Sequence, residues 1–292
     1  MPPIAPIKAI GGAKFLSHGL RLPTSASWVQ PQGDPEGPQW SECLTPEERV
    51  GVPKLIPPWF RPQNNNKLFQ GACDDIGGTF KEVHDTMIDA VKFAHNLWRL
   101  EASITSLNIM GPVAVGPPGC LKGSKIEPKI KTFPGCAAWV GNKAKWRNAI
   151  AKGVSDSFKK WQDMVTVPGL PWYPAFAAFP GPMAPPMPNV PMPLISCPSA
   201  MSAQIMAPQA MRSAMGRALD RGLKQEDKDK QYDALFDAIA TVLSTAFSIW
   251  LPSQMIIGVL GKGPIPTFAP PVVPVGPVMG GNDVRVPGHL AT

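Results

Sequence analysis

The 292-residue sequence predicts a mainly α fold with long Pro/Gly-rich extended segments, organised as three helix-plus-extension units and an extended N-terminal arm. Two observations carry that expectation. Apolar residues recur at helical spacing in three stretches, each ending near a tryptophan, and the 37 prolines and 27 glycines gather mainly outside them. Proline lacks a backbone donor and holds φ at about −65°, so those intervening stretches suit neither helix interiors nor central strands. The arm is expected at 1–76 and the units at 77–141, 142–225 and 226–292.

Residues 1–76 lack sustained periodicity. Only Thr45-Pro46-Glu47-Glu48 reads as a helix start. Trp28, Trp40, Trp59 and Phe60 would lay the arm along a surface. The first helix opens with Thr79 and Glu82 as a capping box, each satisfying a free N–H of the first turn. Phe80, Val83, Met87, Val91, Ala94 and Trp98 then follow at intervals of three or four. The second begins near Asn142 with Trp146, Ile150, Val154, Phe158 and Trp161, weakened by Gly153 by about 1 kcal/mol relative to alanine. The third follows the charged run 224–230 and carries Tyr232, Leu235, Ile239, Val242, Ala246, Phe247 and Trp250. All three stripes read as core packing and not as ligand sites. Recurrence is supported by spacing: Phe158-x-x-Trp161 matches Phe247-x-x-Trp250, and thirteen residues separate both Trp98 from Gly111 and Trp250 from Gly263.

The extension at 168–198 holds eleven prolines in 31 positions, inside a 47-residue run, 165–211, without a charge. A preformed extended backbone of this kind loses little entropy on association, so Trp172, Tyr173, Phe176, Phe179, Met183 and Met187 are the expected contacts with other chains. Phe268 and Val275 join them from the last extension, where Gly280-Gly281-Asn282-Asp283 reads as a tight turn. Met201, Met206, Met211 and Met215 mark a fourth helix or an adaptable packing strip.

The net charge of +7 is uneven. Residues 121–160 carry ten Lys or Arg against Glu127 and Asp156, with Trp146 interleaved. That reads as a solvated helix face meeting acidic neighbours, with a phosphate-tracking surface as the alternative. The five acids of 34–48 supply a complement. Five widely spaced cysteines without a C-x-x-C pair offer neither a zinc ribbon nor a redox motif. They read as free thiols in a reducing compartment, a bridge between Cys120 and Cys136 being the alternative. The uncharged stretch 238–261 is long enough to span a bilayer, but its helical periodicity and Pro252 favour an amphipathic core helix. His84 and His95 lie eleven residues apart on one helix face, and a helix-surface or interface role is expected for them. No phosphate loop, dinucleotide fingerprint or nucleophile elbow occurs, so no cofactor, metal or enzymatic activity is expected.

The run from Pro171 through Trp172-Tyr173-Pro174 to Leu194, with Gly263-Pro264-Ile265-Pro266 and Val275-Gly276-Pro277-Val278-Met279-Gly280-Gly281, resembles structural proteins of tailed phages and phage-tail-like contractile particles. The resemblance covers 77–292 and is one of texture. It implies a non-enzymatic subunit of the tail, baseplate or capsid, present in symmetric copies in a particle assembled in the host cytoplasm. Its partners would be other copies of itself and other particle proteins. The alternatives are a membrane-associated protein using 238–261 and a nucleic-acid-contacting packaging component using 121–160.

Overall fold

The computed structural model describes residues 4–18, 67–172, 182–227, 230–265, 278–284 and 286–290, with backbone alone at 16 and 67–77. Nine helices lie among them: α1 (Lys8–Ser17), α2 (Lys67–Glu101), α3 (Glu127–Lys131), α4 (Pro134–Ala137), α5 (Gly141–Asp163), α6 (Ala203–Met206), α7 (Pro208–Ala218), α8 (Arg221–Glu226) and α9 (Gln231–Ser253). The mainly α expectation is overturned. The extensions supply a six-stranded antiparallel sheet, and the fold is mixed α/β.

The sheet is built from β2 (Asn108–Met110), β3 (Val113–Gly116), β5 (Val167–Pro171), β6 (Met183–Pro188), β9 (Leu260–Pro264) and β10 (Met279–Val284), in the order β5-β3-β2-β10-β9-β6. Two-stranded ribbons pair β1 (Ser103–Ile104) with β4 (Leu121–Lys122) and β7 (Met192–Pro193) with β8 (Met255–Ile256). The proline-rich β5 and β6 form as strands because they occupy the two ends of the order, where a missing N–H leaves no central ladder broken. These ends meet. Trp172 and Asn189 form an antiparallel bridge, and the Val190 N–H donates to the Pro171 carbonyl at 3.0 Å, so the sheet curls into a small barrel.

Each long helix, α2, α5 and α9, is followed in the chain by two of the six strands, and around the barrel those two are neighbours. The helices end on an approximate threefold arrangement. The rings of Trp98, Trp161 and Trp250 form a triangle whose three sides are each 6.3 Å. One turn earlier, His95, Phe158 and Phe247 form a second triangle with sides of 5.9, 5.6 and 5.6 Å. Four residues after each tryptophan a carbonyl accepts from the unit before it. Gly119 N–H reaches Val165 at 3.2 Å, Leu194 N–H reaches Gln254 at 2.7 Å, and the N–H groups of Gly288 and His289 reach Ala102 at 3.0 and 3.1 Å. The cycle thus closes from the last unit back onto the first.

Three local expectations change with the fold. The expected extended arm includes a helix, α1, whose Gly11 is needed for close approach. A Cβ there would stand 2.1 Å from His84 Nε2 and 2.7 Å from a Val242 methyl. Thr79 is not a helix start, because α2 already runs from Lys67. Gly280 to Asp283 lie within β10 and not in a turn. Gly280 takes φ +68° where the register against β2 shifts between Met279 and Gly281, which marks a bulge.

Candidate functional site

Apart from Ile109 on β2 and Val167 and Leu170 on β5, the buried strand residues of the sheet are glycines and alanines, and several larger apolar residues face outward. Ile109, Ala114, Ala184, Gly261, Gly263 and Gly281 are buried on the inner side. Ile109, Trp172 and Gly261 each follow one of the three core tryptophans by eleven residues, and they meet inside the barrel. A Cβ on Gly261 would stand 2.4 Å from Ile109 Cδ1 and 2.3 Å from Trp172 Cη2.

On the outer side, Met110, Val113, Val115, Met183 and Met279 are exposed. Register brings three of them side by side: Met279 pairs with Met110, and Met110 with Val113, across β10, β2 and β3. Pro168, Pro185, Pro186, Pro188 and Pro264 are exposed on the other strands. Among the described strand residues of this wall, Lys262 is the exposed charge. Lys262, Asn282 and Asn108 pair in a neighbouring polar row. A contiguous apolar row beside it marks a place where another surface docks, whereas single exposed apolar residues are ordinary.

The residues expected to meet other chains separate accordingly. Met183 lies on the outer wall, Met187 is half-buried against the core, and Trp172 fills the barrel interior instead of facing out. Tyr173, Phe176, Phe179, Phe268 and Val275 lie outside the described residues. In the helices, Val83, Met87, Val91, Trp98, Ile150, Val154, Phe158, Trp161, Leu235, Ile239, Val242 and Trp250 are buried, with Phe80 and Trp146 half-buried beside them. Met211 and Met215 are buried on α7, while Met201 and Met206 remain exposed.

His84 and His95 are both buried and not on a helix surface. Burial, with the Arg99 charge adding to it, pushes the His95 imidazole down to about 3. It is neutral at physiological pH, and neither ring nitrogen has a hydrogen-bond partner among the described residues. The Trp250 ring stands edge-on to it at 4.5 Å. His95 precedes Trp98 by the same three residues that separate Phe158 from Trp161 and Phe247 from Trp250, and that shared spacing is the sequence signal of its place in the core.

Asp237, buried on α9, holds α1 in place. Its carboxylate takes His18 Nε2 at 2.7 Å and Lys14 Nζ at 3.3 Å, with Arg212 at 3.7 Å. Burial pushes this carboxyl up, but the hydrogen bonds from His18 and Lys14 and the charges of Lys14 and Arg212 hold it below the usual range.

The basic segment is largely neutralised. Lys129 pairs with Glu101, Lys131 with Glu127, Lys143 with Glu82, Lys145 with Asp220, Lys152 with Asp156 and Lys159 with Asp163. Arg147 donates to the carbonyls of Cys136 and Ala137. Trp146 turns inward, edge-on to Phe80 at 6.3 Å and Phe236 at 5.6 Å. Cys120, Cys136 and Cys197 are free and buried. Among the described residues no group of three His, Cys, Asp or Glu could hold a metal ion. Helix α9 has the length and composition to cross a membrane, but 72% of its apolar window is buried inside the fold. No protein-family model, curated protein or solved structure matches the chain.

Proposed function

We propose that the chain is a structural subunit of a phage virion or phage-tail-like particle, held there by other particle proteins that cover the outer wall of its barrel. The observation that carries the reading is the in-register row Met279, Met110 and Val113, which faces away from the core with Val115 beside it on β3. Burying an exposed methionine or valine against a partner contributes about 1.5–3 kcal/mol when complete, so a handful of such residues supports a stable contact. The Pro/Gly texture of 171–194 and 263–281 supports the same class.

The reading is tested on particles purified by density gradient from cells that carry the coding sequence. The chain is expected to co-sediment with them in a fixed copy number. Replacing Met110, Val113 and Met279 by serine should release it into the soluble fraction while its circular dichroism stays unchanged. A chain found only in the soluble cell fraction overturns the reading.

A further inference from the structure

Three of the cations left over after ion pairing converge on one place. A surface cleft of about 360 Å³ lies between the C-terminal halves of α5 and α7, lined by Lys125, Lys152, Asp156, Lys159, Lys160 and Arg217 over a floor of Ala214 and Ala218. The two helices approach closely enough to shape it because residue 153 has no side chain. A Cβ on Gly153 would stand 2.5 Å from the Met215 backbone. Within the cleft Lys152 is engaged by Asp156, and Lys159 by Asp163. Lys125, Lys160 and Arg217 are exposed and have no acidic partner within ion-pair distance among the described residues. They come from three places in the chain: the loop after β4, the last turn of α5 and the last turn of α7. Three uncompensated cations around one concavity repel one another, and that cost is removed by an anion able to touch all three.

We propose that this cleft binds a polyanion through successive phosphate groups, each met by one of Lys125, Lys160 and Arg217. Phosphate suits the set because a guanidinium offers paired donors to it and an ammonium acts as a point charge. Recognition is by charge and not by base: the lining has no aromatic ring on which a base could stack, Trp146 being turned into the core. The same chemistry is presented by a nucleic-acid backbone and by a free oligophosphate. The proposal stands independently of the structural-subunit reading.

The test measures fluorescence anisotropy of a labelled single-stranded oligonucleotide with the full chain at about 50 mM salt, with inorganic tripolyphosphate as competitor. The variant Lys125→Gln/Lys160→Gln/Arg217→Gln is expected to bind at least about tenfold more weakly and to lower the slope of log affinity against log salt by about two. The charge-matched variant Lys81→Gln/Lys92→Gln/Lys262→Gln, whose three lysines are exposed elsewhere, should stay within about twofold of the parent. Displacement by tripolyphosphate shows that the cleft takes phosphate from either source. Binding that resists it, yet is lost in the cleft variant, assigns the nucleic-acid backbone. Absence of binding to both ligands, or equal losses in the two triple variants, overturns the proposal by leaving no ligand or only the overall charge of the chain.

Discussion

Trp172 occupies the space that Gly261 leaves empty. The indole lies so close over the glycine that a Cβ there would meet its Cη2 at 2.3 Å, although the two residues hold equivalent places after Trp161 and Trp250. Volume inside the barrel is therefore shared unequally among three matching positions, with Ile109 as the third. Gly261→Ala is expected to destabilise the fold by about 1–3 kcal/mol through overpacking. Urea denaturation of Gly261→Ala, Trp172→Leu and the double variant checks this. The double variant should be more stable than the sum of single losses allows, and strict additivity would show that the residues do not compete for space.

His95→Phe should stabilise the protein. Phenylalanine already fills the two matching positions at 158 and 247, and the change removes two buried nitrogens that have no hydrogen-bond partner among the described residues. The expected gain at neutral pH is about 1–2 kcal/mol by thermal or urea unfolding. The pH dependence follows from the sign of the shift. With the folded value lowered from 6.5 to about 3, the unfolded chain takes up this proton first as pH falls. Stability is complete above 6.5 and is lost toward 3 with a slope approaching about 1.4 kcal/mol per pH unit, a component that His95→Phe should lack.

Asp237→Asn should free α1 without unfolding the rest. Hydrogen exchange of amides in 8–17 is expected to accelerate about tenfold or more, equivalent to about 1.4 kcal/mol, while α9 keeps its protection. Because the folded carboxyl is held below its usual range, the parent's hold on α1 should persist above the unfolded value and weaken as pH falls through the folded one. Unchanged exchange in 8–17 would show that apolar packing around Gly11 suffices.

Cys120 and Cys197 should resist alkylation in the native state. Burial raises their thiols to about 11 and about 12, so little thiolate is present at pH 8. Peptide-resolved mass spectrometry after brief iodoacetamide treatment should find both unmodified until denaturant is added, and rapid native labelling of either would contradict the buried placement.

The three long helices were legible in sequence because each has one apolar face at helical spacing, and Trp98, Trp161 and Trp250 mark their C-terminal ends, whereas α1 and the short helices carry no such stripe. The barrel was not, for a physical reason visible at β9 and β10. A half-buried strand announces itself by apolar residues inside and polar ones outside. Here glycines 261, 263 and 281 and alanines 114 and 184 take the inside, where there is no room for more, while Met110, Val113 and Met279 take the outside. The alternation is inverted, and prolines at the ends of the sheet hide what remains of it. The reading of Trp172 as a surface anchor has a related cause: it stands between Pro171 and Pro174 in sequence, and only the closure of β5 on β6 reveals that it points in. The unpaired cations were equally unreadable, since the acids that neutralise their neighbours, Glu82, Glu101 and Asp220, lie far away along the chain.

The cyclic hydrogen bonds onto Ala102, Val165 and Gln254 distinguish this chain from a stacked array of repeats. An array has two ends, frays from them and tolerates the loss of a terminal repeat. A ring has none. Gly288 and His289 return to Ala102, so the segment after β10 does the work that a neighbouring repeat does elsewhere, and losing it opens the whole circle. For the same reason the order in which the units are joined matters less than their all being present, which makes the chain a candidate for circular permutation at the connections between them.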